Sequence, residues 1–160
     1  MDERALECDG ACSAGWSNTE ITNAGAAGNM HGPWGNDVKS VSKTYTVPSG
    51  VSRCTVSWDS WGFNSRDNEV DSVLIDDVIV WSHQMKSNQG SGANGNQVQA
   101  YLGSYCWGGV AKCTGAVVKI SQAVEAACSG TMELTFRSDI NQAEGDEGWG
   151  FSNVAVAYGL

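Results

Sequence analysis

Alternation with a period of two is the feature that most limits what this chain can become. In Arg53-Cys54-Thr55-Val56-Ser57-Trp58, Cys54, Val56 and Trp58 fall on one face, with Thr55 and Ser57 on the other. Residues 131–136 place Met132, Leu134 and Phe136 together, and 97–105 do the same with Val98, Ala100 and Leu102. Residues 151–158 set Val154 and Val156 against Ala155 and Ala157, while 43–47 alternate until Pro48-Ser49-Gly50 stops them. Residues 116–120 and a short piece at 16–22 read as further strands. Residues 70–81 read as a hairpin: Val73-Leu74-Ile75 and Val78-Ile79-Val80-Trp81 flank the turn Asp76-Asp77, and their continuous apolar character predicts burial on both faces. Only 121–127 suits a helical turn. The rest of 16–37 and all of 86–96 are rich in turn-forming residues and read as loops. Eight or nine strands imply an all-β fold, a two-sheet antiparallel sandwich of jelly-roll-like type. With no repeat and no linker, 1–160 reads as a single domain: a disulfide-tied leader at 1–15 and the sandwich at 16–160.

The net charge is −9, and the nine Lys and Arg are scattered singly. Nucleic acid and anionic membrane are therefore poor partners, whereas cations, basic surfaces and neutral glycans suit it. No run approaches the length of a membrane span. The six cysteines are Cys8, Cys12, Cys54, Cys106, Cys113 and Cys128. An even count in a small, acidic, β-rich chain predicts disulfides and a secreted, extracellular setting. Cys8–Cys12 and Cys106–Cys113 are locally closable, which leaves Cys54–Cys128 between two strands. Fifteen pairings stay open at this stage, and the spacing does not suit a zinc site. Met1-Asp2-Glu3-Arg4 opens on charge without an apolar signal core, so secretion is expected from cysteine usage alone.

Acids gather in two stretches: Asp59, Asp67, Glu69, Asp71, Asp76 and Asp77, then Asp139, Glu144, Asp146 and Glu147. Such density repels unless a cation neutralises it or the loops stay solvated with Arg66 as a local counter-charge. Calcium takes six to eight oxygens from carboxylates, amides, carbonyls and water. Asp67, Asn68, Glu69, Asp146 and Glu147 supply them if the two loops meet at one end of the sandwich. No EF-hand spacing is present, so such a Ca²⁺ site is discontinuous. Tryptophans lie beside the acids, and sugars stack on flat aromatic faces while acids and amides bind their hydroxyls. Trp61, Trp107, Trp149 and Tyr105 are the carbohydrate-facing candidates, with Trp34 a further exposed one. Trp58 and Trp81, within strands, read as core. Catalysis is not expected. A carboxylate pair is unremarkable among so many acids, His31 and His83 are far apart, and no Gly-x-Ser-x-Gly motif occurs.

Several short motifs occur in a suggestive order. They are Ser42-Lys43-Thr44-Tyr45, Asp59-Ser60-Trp61 followed by Asp67-Asn68-Glu69, Asp76-Asp77 before Val80-Trp81, and Asp146-Glu147-Gly148-Trp149-Gly150-Phe151-Ser152-Asn153. Over most of 32–158 the chain resembles a secreted β-sandwich module of eukaryotic microbes. That module is similar to galactose-binding-like sandwiches and calcium-containing carbohydrate-binding modules. One departure from the resemblance is the stretch 62–66, which separates the Asp-Ser-Trp segment from Asp-Asn-Glu.

The expectation from all of this is an extracellular, calcium-dependent, lectin-like module. Its partner is a glycan or a cell-surface or matrix glycoprotein. The rival is a structural or adhesive subunit of an extracellular filament, matrix or cell-surface assembly. In that case the N-terminal segment adds a strand or an intermolecular disulfide to a neighbour.

Overall fold

The computed structural model describes residues 3–6, 11–23, 28–64, 66–86, 98–100 and 117–159, with the backbone alone at 3–6, 98–100 and 117. The described residues form eleven strands and no helix: β1 (Glu3–Leu6), β2 (Ile21–Asn23), β3 (Asn29–Trp34), β4 (Ser40–Thr46), β5 (Arg53–Asn64), β6 (Asp67–Ile75), β7 (Val78–Lys86), β8 (Val98–Ala100), β9 (Val117–Ala127), β10 (Thr131–Ser138) and β11 (Glu147–Gly159). One sheet runs β2-β3-β11-β5-β9-β8, with β1 also paired to β11, and the other runs β4-β10-β6-β7. All pairings are antiparallel. The chain changes sheet at β3–β4, β4–β5, β5–β6, β7–β8, β9–β10 and β10–β11, the winding of a jelly-roll-like sandwich. Among the described residues no helix is long and apolar enough to cross a membrane.

The alternation seen in the sequence decides what lies between the sheets. Cys54, Val56 and Trp58 of β5 meet Met132, Leu134 and Phe136 of β10 in one core with Val73, Ile75, Trp149, Phe151, Val154 and Val156. Phe136 of one sheet stacks on Phe151 of the other at 3.8 Å. The turn Asp76-Asp77 holds both residues at positive φ, 48° and 63°, as a tight two-residue hairpin requires.

Four expectations need correction. Residues 121–127 are not helical; they continue β9 and pair with β5 from Ser121↔Asp59 to Ala127↔Arg53. Their Ala and Glu content favours helix only locally, and a long partner strand overrides it. Residues 29–34 are a strand, although Gly32 and Pro33 read as loop. Gly32 has φ 91°, and a Cβ there would lie 2.9 Å from the Trp149 carbonyl, so the close approach of β3 to β11 needs glycine. The short strand expected at 16–22 lies at Ile21–Asn23, with only an isolated bridge from Trp16 to Lys43 before it. Lastly, burial on both faces holds for β6 but not for β7. Val78 and Ile79 are 65% and 52% exposed, because β7 ends its sheet while β6 lies between β10 and β7.

Cys54 and Cys128 form a disulfide, with Cα atoms 5.8 Å apart and 74 residues between them in sequence. Cys12 is also disulfide-bonded. Cys8, Cys106 and Cys113 lie outside the described residues, and so do the expected Cys8–Cys12 and Cys106–Cys113 pairings.

Candidate metal centre

Strand register brings Asp67, Glu69 and Asp71 of the first acidic stretch to the same end of the sandwich as Glu147. Asn64, the last residue of β5, lies opposite Glu147, the first of β11. Asp67 then opens β6. The connection bends through Asn64 (φ 63°) and Asn68 (φ 114°), conformations that asparagine tolerates better than most residues. Pairing of β6 with β7 shifts register between Asp67 and Val70, a bulge with Asp67 and Asn68 exposed and Glu69 and Asp71 buried. The 139–146 loop is fastened to the same strand. Asp139 N donates to Val70 O at 3.1 Å, and its carboxylate accepts from Val70 N. At its far end, the amides of Asp146 and Glu147 both donate to Ala143 O.

Asp67, Glu69 and Glu147 each present a carboxylate oxygen within 4.8 Å of those of the other two. Glu147 is fully buried, and neither of its carboxylate oxygens has a hydrogen-bond partner. Burial, then the charges of Glu69 and Asp67, push its pKa up to about 7. Asp67 is also raised, by its hydrogen bond to Glu69 and then by that residue's charge. Burial alone would raise Glu69. Hydrogen bonds from Asp67, side chain and backbone, together with Arg66, hold it below the usual range instead. Two ionised carboxylates are both acceptors, so Glu147 and Glu69 become partners only across a shared proton or a shared cation.

Arg66 stands behind this cluster with its side chain fully buried. It forks onto Asp71, with Nη2 2.7 Å from Oδ1 and Nη1 3.3 Å from Oδ2, and its Nε reaches Glu69 Oε2 at 3.4 Å. It also donates to the carbonyls of Glu69 and Gly148 and to Ser138 Oγ. Burial is the largest single influence and opposes its charge, but Asp71 and Glu69 together outweigh it and raise its pKa.

Of the five oxygen donors expected from sequence, three meet. Asn68 sits exposed in the bulge between Asp67 and Glu69. Asp146 is exposed and lies outside the three-carboxylate group. It belongs to the turn closed on Ala143 O, whereas its neighbour Glu147 starts the strand and faces inward. The carbohydrate-facing role for Trp61 and Trp149 is corrected. Both are buried: Trp61 donates to Ser152 Oγ at 2.8 Å and Trp149 to the Val38 carbonyl at 2.8 Å. Trp34 is buried too, donating to Glu20. Tyr105 and Trp107 lie outside the described residues. Arg66 is the local counter-charge, as expected, but it and the acids it pairs with, Glu69 and Asp71, are buried rather than solvated. Asp71 and Ser138, which fix it, carried no signal in sequence beyond the local density of acids.

No protein-family model matches the sequence, and no curated protein is significantly similar to it. Among solved structures, the chain is similar to part of dimeric latent PorU from Porphyromonas gingivalis, at 12% identity and a TM-score of 0.53, covering 98% of this chain and 12% of that one. It is also similar to an exo-β-1,3-galactanase from Phanerochaete chrysosporium with β-1,3-galactotriose bound, at 14% identity and a TM-score of 0.35, covering 98% and 27%. A third is a family 51 carbohydrate-binding module from Clostridium perfringens in complex with methyl-galactose, at 11% identity and a TM-score of 0.38, covering 98% and 99%. The chain thus spans a small part of the first two. The likeness to PorU is one of fold, a β-sandwich, and the other two scores fall below the level at which a shared fold is argued.

Proposed function

We propose that the chain is an extracellular calcium-dependent carbohydrate-binding module, one that binds rather than cleaves. The observation that carries the reading is Glu147, a fully buried carboxylate with no hydrogen-bond donor, set against two other carboxylates. Such a group is costly unless it is protonated or bound to a cation. Two oxygens bound to one calcium ion at about 2.4 Å each can be no more than about 4.8 Å apart, a condition that the three carboxylates meet. When all are ionised, Asp67, Glu69, Asp71 and Glu147 bring four negative charges and Arg66 one positive. A divalent ion would offset two of the three left over. The three carboxylates supply part of a shell of six to eight oxygens. Asp67 and Asn68 lie on the solvent side, where water or a pair of sugar hydroxyls would complete it. The Cys54–Cys128 disulfide supports an oxidising compartment.

The test is a thermal melt in EDTA and in millimolar calcium, followed by glycan-array binding of the calcium-loaded chain. A midpoint that rises with calcium concentration supports the site, and calcium-dependent retention of a glycan supports the whole reading. A rise without any glycan binding favours the structural or adhesive subunit. An unmoved midpoint removes calcium from the account.

A further inference from the structure

We propose that Arg66 is the positioning residue of the cation site, an inference that rests on the calcium reading above. Arg66 directly precedes Asp67, and its guanidinium ties the β6 acids Glu69 and Asp71 to Ser138 and Gly148, on either side of the 139–147 stretch. On one side Nε engages Glu69 Oε2 at 3.4 Å, the oxygen that also accepts the Asp67 amide at 2.8 Å. That oxygen is thereby fixed by two donors, and the orientation of the Glu69 carboxylate with it. On the other side Nη1 donates to the carbonyl of Gly148, the residue after Glu147, at 3.4 Å. Ser138, the last residue of β10, donates to Asp71 Oδ1 at 2.6 Å and lies 3.5 Å from Nη2, so the start of the loop leading to Glu147 is held as well.

The surroundings confine the side chain further. A Cβ on Gly62 would lie 3.5 Å from Arg66 Cγ and 3.6 Å from Nη1, so the β5 backbone packs directly on it. Only a planar fork with several donors reaches three strands at once; a lysine ammonium does not. Groups that orient metal ligands without touching the metal commonly govern affinity as strongly as some ligands do.

A purely electrostatic role and a positioning role predict opposite signs. Arg66 is a positive charge beside a cation site, so if its charge were all that mattered, Arg66→Met would tighten calcium binding. Positioning predicts weaker binding on removal, and weaker binding in Arg66→Lys, where the charge stays. The experiment is calorimetric titration of the full chain and its variants with calcium, each first shown folded by near-ultraviolet circular dichroism. Terbium luminescence lifetimes in H₂O and D₂O count the waters on the bound ion. We expect Arg66→Lys and Arg66→Met to bind calcium at least about tenfold more weakly, with at least one extra water on terbium. Should Arg66→Met or Arg66→Lys fail to fold, Ser138→Ala decides. It changes no charge, and we expect it to weaken calcium binding several-fold. Unchanged affinity in the folded variants, or tighter binding in Arg66→Met, overturns the inference while the calcium reading stands. No calcium binding by the unaltered chain overturns both.

Discussion

Glu147 sets the pH behaviour expected of the calcium-free chain. Its pKa lies near 7 in the fold, raised first by burial, against an ordinary value of 4.5. Between those values the folded chain holds a proton that the unfolded chain has released. Stability therefore falls as pH rises from about 4.5 and stops falling above about 7. The shift corresponds to roughly 3 kcal/mol at 1.36 kcal/mol per unit. Glu147→Gln keeps the shape and removes the charge. In EDTA, urea titrations from pH 4.5 to 8 should show that slope in the unaltered chain, much less of it in the variant, and greater stability of the variant at pH 8. In millimolar calcium the order should reverse, because the variant loses a ligand. Parallel pH profiles for the two chains would sink the assignment of the shift to Glu147. At this scale the three carboxylates were legible as a concentration of acids, since like charges so dense call for a neutraliser. Arg66 was not. A charged residue in an apparent loop reads as solvated, and only the register of β6, β10 and β11 encloses it. Trp61 and Trp149 misled for a related reason: sequence gives a tryptophan's neighbours along the strand, not what lies on its face.

Strand elements were legible wherever one face alternates and the other meets water, as in β4, β10 and the first half of β5. They were not legible where local chemistry opposes long-range pairing. β3 contains Gly32-Pro33, and the second half of β9 is rich in alanine, yet each is fixed by a partner far away in sequence. The same distant pairing controls the site, and Gly35 tests it. A Cβ there would lie 2.2 Å from the Glu144 amide nitrogen and 2.8 Å from the Ala143 carbonyl carbon, both backbone atoms. The segment after β3 is also hydrogen-bonded to this loop, with Asn36 N donating to Gln142 O at 2.9 Å and Asn36 Nδ2 to Asn141 O at 3.1 Å. Gly35→Ala must therefore push the 139–146 loop, and Glu147 follows directly after it. Overpacking of this kind costs about 1–3 kcal/mol, which should lower the melting midpoint in EDTA by several degrees. The added rise in midpoint from calcium should shrink to less than half. A full calcium response in this variant would mean that Glu147 is held by β5 pairing alone and owes nothing to the loop.

Across the whole molecule, β5 connects two stabilising devices and keeps them apart. Cys54 is the second residue of β5 and is bonded to Cys128; Asn64, opposite Glu147, is its last. Ten residues of strand at about 3.3 Å each separate them by roughly 33 Å, well beyond the range over which perturbations usually couple. Bridging residues 74 apart in sequence restricts the unfolded chain by about 4 kcal/mol in the loop-entropy description. A calcium ion instead acts on the native state alone, by mass action. The two effects should therefore add. The variant with Cys54→Ala and Cys128→Ala together should lose about 4 kcal/mol in urea titrations at low temperature. Its gain on moving from EDTA to calcium should match that of the unaltered chain within about 0.5 kcal/mol. A smaller gain would show that β5 transmits disorder from the disulfide end to the acidic end, and that the site depends on the core being tight along its whole length. An equal gain would assign the site's geometry to its own end of the sandwich, where β6, the 139–146 loop and the start of β11 meet around Arg66.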